Sequence, residues 1–250
     1  MRIVSLVPSL TELLFDLGLE DHVVGVTKFC IHPPEAKPTR TLIGGTKNPS
    51  VERILQLQPD LVIANRDENR REDVARLEPH TQVLVTDIST IDDALSAILQ
   101  VGSATGAVQA ADSIVHEIGT LQERLREQKA LTPLLTPPKI LYLIWQNPYM
   151  SVGSDTFIHA MISELGAESV TQTLRRYPEI TEADIHELAP NEIWLSDEPF
   201  PFGPDHVLAF QKLFPFARVR LVSGEVYSWY GSRIILAYHE LLKQYAHWAS

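Results

Sequence analysis

A long stretch without proline, from Thr105 to Lys129, limits most strongly what this chain can fold into. Its apolar residues recur at steps of three and four positions, which is the spacing of one helix face. The stripe is broken only at Gln122 and otherwise consists of Val108, Ala111, Val115, Ile118 and Leu125. The sequence therefore predicts an amphipathic helix roughly 36 Å long at 1.5 Å of rise per residue.

The segments on either side of this helix are two versions of one pattern. SVERILQLQPDLVIANRD, which begins at Ser50, matches TEADIHELAPNEIWLSDE, which begins at Thr181, at an offset of 131 residues. Each copy predicts a short helix, a proline turn and a buried strand. A looser pair, DLGLE from Asp16 and ELGAE from Glu164, closes one helix in each half. Such an internal repeat predicts two similar structural units.

The repeat and the helix together predict an α/β protein of two similar Rossmann-like lobes. The expected divisions are an N-terminal lobe over residues 1–104, an interlobe helix over 105–130 and a C-terminal lobe over 131–250. A cleft between two lobes is a common place for a small ligand, and we expect the ligand there. At the start of the first helix, Ser9 and Glu12 have the spacing of a capping box.

Composition excludes several classes of function. The chain has 32 acidic against 21 basic residues, a formal net charge of −11, which argues against nucleic acid or an anionic membrane as the main partner. No apolar run approaches the ~20 residues that cross a bilayer. The N-terminus lacks the long apolar core of a signal peptide, so either the protein is cytoplasmic or its leader lies outside this sequence.

Loops that follow parallel strands meet at one edge of a sheet, where ligands of open α/β sheets bind. In the first lobe these loops carry polar candidates: Cys30, His32, Lys47, Asn65, Glu68 and Asn69. In the second lobe they carry aromatic candidates: Trp145, Tyr149, Tyr177, Phe200, Phe202, Trp229 and Tyr230. Aromatic faces provide contact area, and amides and ammonium groups fix orientation. The two sets predict a large, flat ligand with polar edges.

Cys30 and His32 are two residues apart and invite a metal or nucleophile hypothesis. A structural zinc site needs four ligands, usually in CxxC or HxxxH spacing, and no second pair of this kind occurs. We therefore expect no metal held by the protein alone. A catalytic cysteine needs a third, orienting group that the sequence does not identify, and a buried, inert thiol is the common alternative.

Four segments give the chain a family resemblance: VSLVPSLTELLFDLG, VERILQLQPDLVIA, LIWQNPYMSVGSDTFIHAMISELG and SWYGSRIILA. Over nearly its whole length the chain resembles the substrate-binding proteins of ABC importers for vitamin B12, haem and iron-siderophores, and it looks most similar to the cobalamin binders. The resemblance implies a monomeric, non-enzymatic protein of the periplasm or cell surface. It also implies that Asn65, Glu68, Trp145 and the segment 227–230 line the cleft, and that Glu72 and Glu225 dock onto the permease.

This chain departs from the cobalamin binders in having Asn65 where they have tryptophan, and in the segment FCIHP. Cys30 or His32 could then supply an axial ligand to a metal carried by the ligand itself. Three alternatives stay open beside a corrinoid-binding protein. They are a haem or ferric-siderophore receptor, a divalent-metal receptor, and a cytoplasmic enzyme that handles a tetrapyrrole or metal with Cys30 and His32.

Overall fold

The computed structural model describes residues 1–250, and its chain divides into two α/β units. The first unit comprises Met1–Ile88, Asp92–Gly119 and Tyr230–Ile235. The second comprises Ser89–Ile91, Thr120–Trp229 and Leu236–Ser250. The predicted division at residues 104 and 131 stays a prediction.

The first unit is built on a parallel sheet of five strands. Its elements, in chain order, are β1 (Ile3–Ser5), α1 (Pro8–Asp16), β2 (Val23–Val26), α2 (Ala36–Thr39), β3 (Thr41–Leu42), α3 (Val51–Gln56), β4 (Leu61–Asn65), α4 (Arg71–Leu77), β5 (Gln82–Thr86) and α5 (Ile91–Thr105). The strand order is β3-β2-β1-β4-β5, and every pairing is parallel. The central strands β1 and β4 are buried throughout, as expected for a parallel sheet covered by helices.

The long helix α6 (Val108–Leu131) is divided between the units at Gly119 and Thr120, and the second unit has a parallel sheet of four strands. Its elements are β6 (Lys139–Leu143), β7 (Tyr149–Met150), α7 (Phe157–Glu164), β8 (Glu168–Ser169), β9 (Glu179–Ile180), α8 (Glu182–Leu188), β10 (Glu192–Ser196), α9 (Pro204–Leu213), β11 (Arg218–Val222), α10 (Gly224–Ser228) and α11 (Ile234–Ala249). The sheet order is β11-β10-β6-β8, and β7 pairs with β9 as a separate antiparallel ribbon.

The predicted repeat is confirmed down to single hydrogen bonds. β4 and β10 have the same length and begin 131 residues apart, at Leu61 and Glu192. In the turn before each strand, the residue that precedes the proline is left-handed, with φ of 46° at Gln58 and 44° at Ala189. Asp60 then accepts a hydrogen bond from the Arg2 backbone (2.6 Å), as Asn191 does from that of Lys139 (2.9 Å). The same type of turn therefore hydrogen-bonds to the backbone at the start of the first strand in each sheet.

The long helix is confirmed as Val108–Leu131. Ala111, Ile118 and Leu125 of the predicted stripe are fully buried, whereas Val108 is half-exposed. Near the start of α6, the preceding helix α5 needs a glycine at position 102, because a Cβ on Gly102 would lie 2.4 Å from the Ala111 methyl. The helix is thus held by packing of one face, as its periodicity predicted.

The predicted capping box at the first helix is wrong. α1 begins at Pro8 with Val7 as its cap, and no side chain caps it. The Glu12 carboxylate instead forms a two-pronged ion pair with Arg233, at 2.7 Å from its Nε and close to its Nη2. A buried guanidinium competes better for the carboxylate than the backbone amide, because both partners are charged and the bonds are paired.

Candidate functional site

The loop after β4 holds three predicted ligand-binding residues, and two of them are used internally. Asn65 is buried; its side-chain oxygen accepts from the backbone of Asp67 (2.8 Å) and of Glu68 (3.3 Å), and its amide donates to Thr86 (3.1 Å). Asn69 is also buried and accepts from the Asn65 backbone (2.8 Å). These amides brace the loop through internal hydrogen bonds, and their direct contact with a ligand stays a prediction.

Asn69 also ties this loop to its neighbours. Its side-chain nitrogen donates to the carbonyl oxygens of Leu6 (3.3 Å) and Thr46 (3.0 Å). Lys47, on the loop after β3, donates from its ammonium group to the Asp67 carbonyl. The loops after β1, β3 and β4 therefore form one joined corner at the carboxyl edge of the first sheet.

Glu68 and Lys47 are the predicted residues that this corner leaves available. Lys47 is exposed and Glu68 is half-buried. Burial raises the pKa of the Glu68 carboxyl, and the positive charge of Lys47 opposes that rise. A cation and a carboxyl group thus lie near each other, on backbone that the two asparagines hold in place.

Cys30 has no accessible surface, and its contact with a ligand or a ligand-borne metal stays a prediction. Its sulfur lies 3.2 Å from the Thr11 hydroxyl and 3.4 Å from the Thr27 hydroxyl. Burial raises the pKa of the thiol, with both hydroxyls opposing the rise, and a smaller thiolate fraction means lower reactivity. His32 is half-buried in the same loop, before a cis proline. The enzyme alternative that pairs Cys30 with His32 loses its nucleophile.

Two apolar residues beside Cys30 escaped the sequence prediction. Phe29 is 50% exposed and Ile31 is 46% exposed, on either side of the buried thiol. Lys28 places its ammonium 4.9 Å from the centroid of the Phe29 ring, and a Cβ on Gly45 would lie 3.3 Å from that ring. The backbone turns here, since the Cys30 N–H donates to the Thr27 carbonyl (3.2 Å), and no sequence signal marked the two apolar residues as exposed.

In the second unit, the loops after β6 and β10 bring two predicted aromatics together. Trp145 is 39% exposed, and its ring meets Phe200 edge-on at 5.5 Å between centroids. The Phe200 backbone donates to the Ile144 carbonyl (3.3 Å), which joins the two loops. Phe200 also packs on Phe202 at 4.7 Å. A supported, exposed indole is the arrangement that stacks on a flat ligand.

The other aromatics of this unit divide between core and surface. Phe202 is buried in the core beneath the site, and Tyr149 packs on Phe210 at 5.2 Å. Burial, and then the charge of Glu182, raise the pKa of Tyr149. Tyr177 is 38% exposed, with the Arg176 guanidinium 5.7 Å from its ring.

The predicted aromatics Trp229 and Tyr230 do not project into solvent. Both are buried, at 8% and 7% exposure. The Trp229 indole donates to Glu198 (2.8 Å), and the Ser228 hydroxyl donates to the same carboxylate oxygen (3.1 Å). Burial raises the pKa of Glu198 and these two hydrogen bonds oppose it. The Glu198 carboxyl group, on the loop after β10, thus holds Ser228 and Trp229 in place.

The two predicted docking acids occupy different settings. Glu72 is exposed in the first turn of α4, where its charge faces the positive end of the helix. Glu225 is half-buried in the first turn of α10. Their docking role stays a prediction.

The chain gathers no group of three His, Cys, Asp or Glu side chains that could hold a metal ion, which the divalent-metal alternative required. None of its helices has the length and apolar character needed to span a bilayer.

Comparisons with known proteins identify a matching family and several relatives. A family model described as "Periplasmic binding protein" matches residues 3–213. An uncharacterized ABC transporter substrate-binding lipoprotein, YvrC, of Bacillus subtilis (strain 168) is 29% identical over 78% of this chain. The match spans 63% of the length of that relative.

Two further proteins match over almost the full chain. A vitamin B12-binding protein of Pectobacterium atrosepticum is 24% identical, over 98% of this chain and 88% of its own length. The crystal structure of a periplasmic heme binding protein from Pseudomonas aeruginosa has a TM-score of 0.85 at 21% identity, over 98% of this chain and 92% of that one. The structural match confirms the predicted α/β fold class of paired lobes.

Proposed function

This chain belongs to the periplasmic binding protein family, and from that premise we propose that it is a substrate-binding protein that delivers a corrinoid to an ABC importer. Its work is to bind and release, without a chemical step. The observation that carries the choice of a corrinoid is the match of the vitamin B12-binding relative along 98% of the chain. Membership of the family and the lipoprotein relative support a location outside the cytoplasmic membrane.

The sheet edges supply the contacts that such a ligand needs. Trp145, supported by Phe200, offers an exposed aromatic face in the second unit. Phe29 offers another in the first unit, against Gly45 of the loop that carries Lys47. Apolar faces for a macrocycle and a few polar groups for its edge are the usual composition of a small-molecule site.

A receptor for anionic siderophores is less well supported, because two of the chain's arginines, Arg66 and Arg233, are already paired with carboxylates. Arg66 pairs with Asp87 at 2.5 Å. Arg233 pairs with Glu12 through two bonds. Neutralised guanidinium groups add little attraction for a highly charged anion. A haem receptor shares the aromatic requirement and is the second candidate.

The test is a spectroscopic titration of the purified protein with cyanocobalamin, hydroxocobalamin and haem. Saturable cyanocobalamin binding at micromolar concentration or below is the expected result. Binding of haem alone would replace the corrinoid with haem, and binding of none of the three would refute the proposal. A spectral shift with hydroxocobalamin only would assign the axial ligand to His32, because Cys30 is buried.

A matched pair of variants tests where the ligand binds. Trp145→Ala removes an exposed edge aromatic and should weaken binding about tenfold to a hundredfold, as for a central aromatic contact. Phe216→Ala removes an aromatic of similar exposure, 47%, that precedes β11 at the opposite edge of the sheet, and should leave affinity unchanged. Equal losses would place the ligand elsewhere.

Delivery requires a permease, for which Glu72 and Glu225 are the proposed contacts. Reversal of both charges, Glu72→Lys with Glu225→Lys, should leave corrinoid affinity intact and abolish uptake in cells that depend on this protein. Normal uptake by the double variant would remove both residues from the docking surface.

A further inference from the structure

Lys47 and Glu68, here called the Lys47–Glu68 pair, share one corner of the first sheet although they are far apart in sequence. The Lys47 ammonium donates to the carbonyl of Asp67, the residue before Glu68. An ammonium group has three N–H donors, so further donors remain for a ligand. Lys47 is exposed at this corner.

The Glu68 carboxylate is half-buried and receives no hydrogen bond from the protein. Such a group is unfavourable to bury without a donor. Its backbone is nevertheless held firmly, since the Glu68 N–H donates to Asn65 and Asn69 fixes the strand end (3.3 and 2.8 Å). The fold thus holds the Glu68 backbone in place and leaves the carboxylate without a hydrogen-bond donor, within the electrostatic influence of Lys47.

A neighbouring cation and carboxylate complement a primary carboxamide. The amide oxygen accepts from the ammonium, and the amide NH2 donates to the carboxylate. A ligand carboxylate in the same place is attracted by Lys47 but repelled by Glu68, and it has no proton to donate. The pair therefore discriminates between two groups of nearly equal size.

We infer that the Lys47–Glu68 pair determines specificity by reading one primary carboxamide on the edge of the ligand. It would select amide-bearing macrocycles such as corrinoids over tetrapyrroles whose edges carry carboxylates. The exposed Phe29 ring beside the Lys47 loop supplies the adjoining apolar contact. This inference rests on the proposed function and adds to it the chemical group that is recognised.

The test compares cyanocobalamin with its separated monocarboxylic acid derivatives, in each of which one peripheral carboxamide is hydrolysed. Calorimetric titration of the wild-type protein should show one isomer bound about tenfold to a hundredfold more weakly than cyanocobalamin, the loss expected for a charge-assisted contact. The remaining isomers should bind like cyanocobalamin. No discrimination among the isomers overturns the inference.

Variants assign that discrimination to the pair. Glu68→Gln removes the repulsion and should bring the disfavoured isomer to within about threefold of cyanocobalamin, since like-charge repulsion is what the variant deletes. Glu78→Gln, an exposed acid at the end of α4, is the matched control and should keep the wild-type selectivity. Unchanged selectivity in Glu68→Gln overturns the inference.

Lys47→Gln gives a second route if Glu68→Gln does not fold. Lys47 is exposed, so this variant should fold normally and bind cyanocobalamin about tenfold more weakly; unaltered affinity contradicts the inference. Wild-type protein that is folded by circular dichroism but binds no cyanocobalamin refutes the proposed function itself. That result is distinct from intact binding without discrimination, which refutes only the role of the pair.

Discussion

Breaking the ion pair between Glu12 and Arg233 should destabilise this protein far more than breaking one of its surface pairs. Its side chains are only 13% and 12% exposed, and Arg233 reaches both carboxylate oxygens. Removal of one partner from a buried pair costs about 3–5 kcal/mol, because a charge is left without compensation. Residual exposure reduces this, and Glu12→Gln retains a neutral acceptor, so we expect a loss of about 2–4 kcal/mol.

The measurement is urea denaturation and thermal melting followed by circular dichroism. For a chain of this size the loss corresponds to a fall in Tm of about 5–15 °C. Glu123→Gln is the matched control, because Glu123 pairs with Arg126 on α6 with side chains 55% and 71% exposed. That change should cost about 0.3–0.5 kcal/mol, the usual value for a helix surface pair.

A double variant separates the pair from the packing of its side chains. Glu12→Leu with Arg233→Met replaces both charges by apolar groups of similar length, which is often neutral for a buried pair. It should therefore be more stable than Glu12→Gln alone. The reasoning is refuted if Glu12→Gln costs no more than Glu123→Gln.

Three other perturbations have defined outcomes. Gly224→Ala should lower the Tm, because the new Cβ would lie 2.2 Å from the Glu198 Cγ, whereas Gly119→Ala, in open space within α6, should stabilise the protein by about 0.5–1 kcal/mol; thermal melts of the two variants decide this. Cys30 should react with iodoacetamide at pH 8 much more slowly in the native protein than in urea, since burial limits access and raises its pKa; equal rates would restore the reactive-cysteine alternative. Burial raises the folded-state pKa of Glu68 above its unfolded value near 4.5. The contribution of this carboxyl therefore favours folding below pH 4.5 and is lost as the pH rises through the folded-state pKa. In denaturation curves, the stability of Glu68→Gln relative to wild type should increase with pH over that window, and a difference independent of pH would contradict the burial of this carboxyl.

Much of the fold could be predicted because its signals are local. The repeated helices begin at Val51 and Glu182 and the repeated strands at Leu61 and Glu192, each pair at the predicted offset of 131 residues. Short-range periodicity and turn chemistry decide such elements.

The candidate site was predictable only in part. Parallel topology predicted that Lys47 and Glu68 in the first unit, and Trp145 and Phe200 in the second, lie at the sheet edge of their own unit, since all four come from loops that follow strands. Their exposure did not follow from the sequence. Trp229 is also an aromatic in a polar turn, yet it is buried on Glu198, which lies 31 residues earlier in the chain.

The sequence by itself therefore determined the class of the protein, with its two α/β units, long helix and strand-end loops, because period and offset are properties of neighbouring residues. Only the tertiary structure decided which polar groups stay available. The Asn69 side-chain nitrogen hydrogen-bonds to the carbonyl oxygens of Leu6 and Thr46, which are 63 and 23 residues away. The Cys30 sulfur contacts the hydroxyl of Thr11, which is 19 residues away. A hydrogen-bonding group is available to a ligand only after the fold has settled its internal partners, and those partners are not neighbours in sequence.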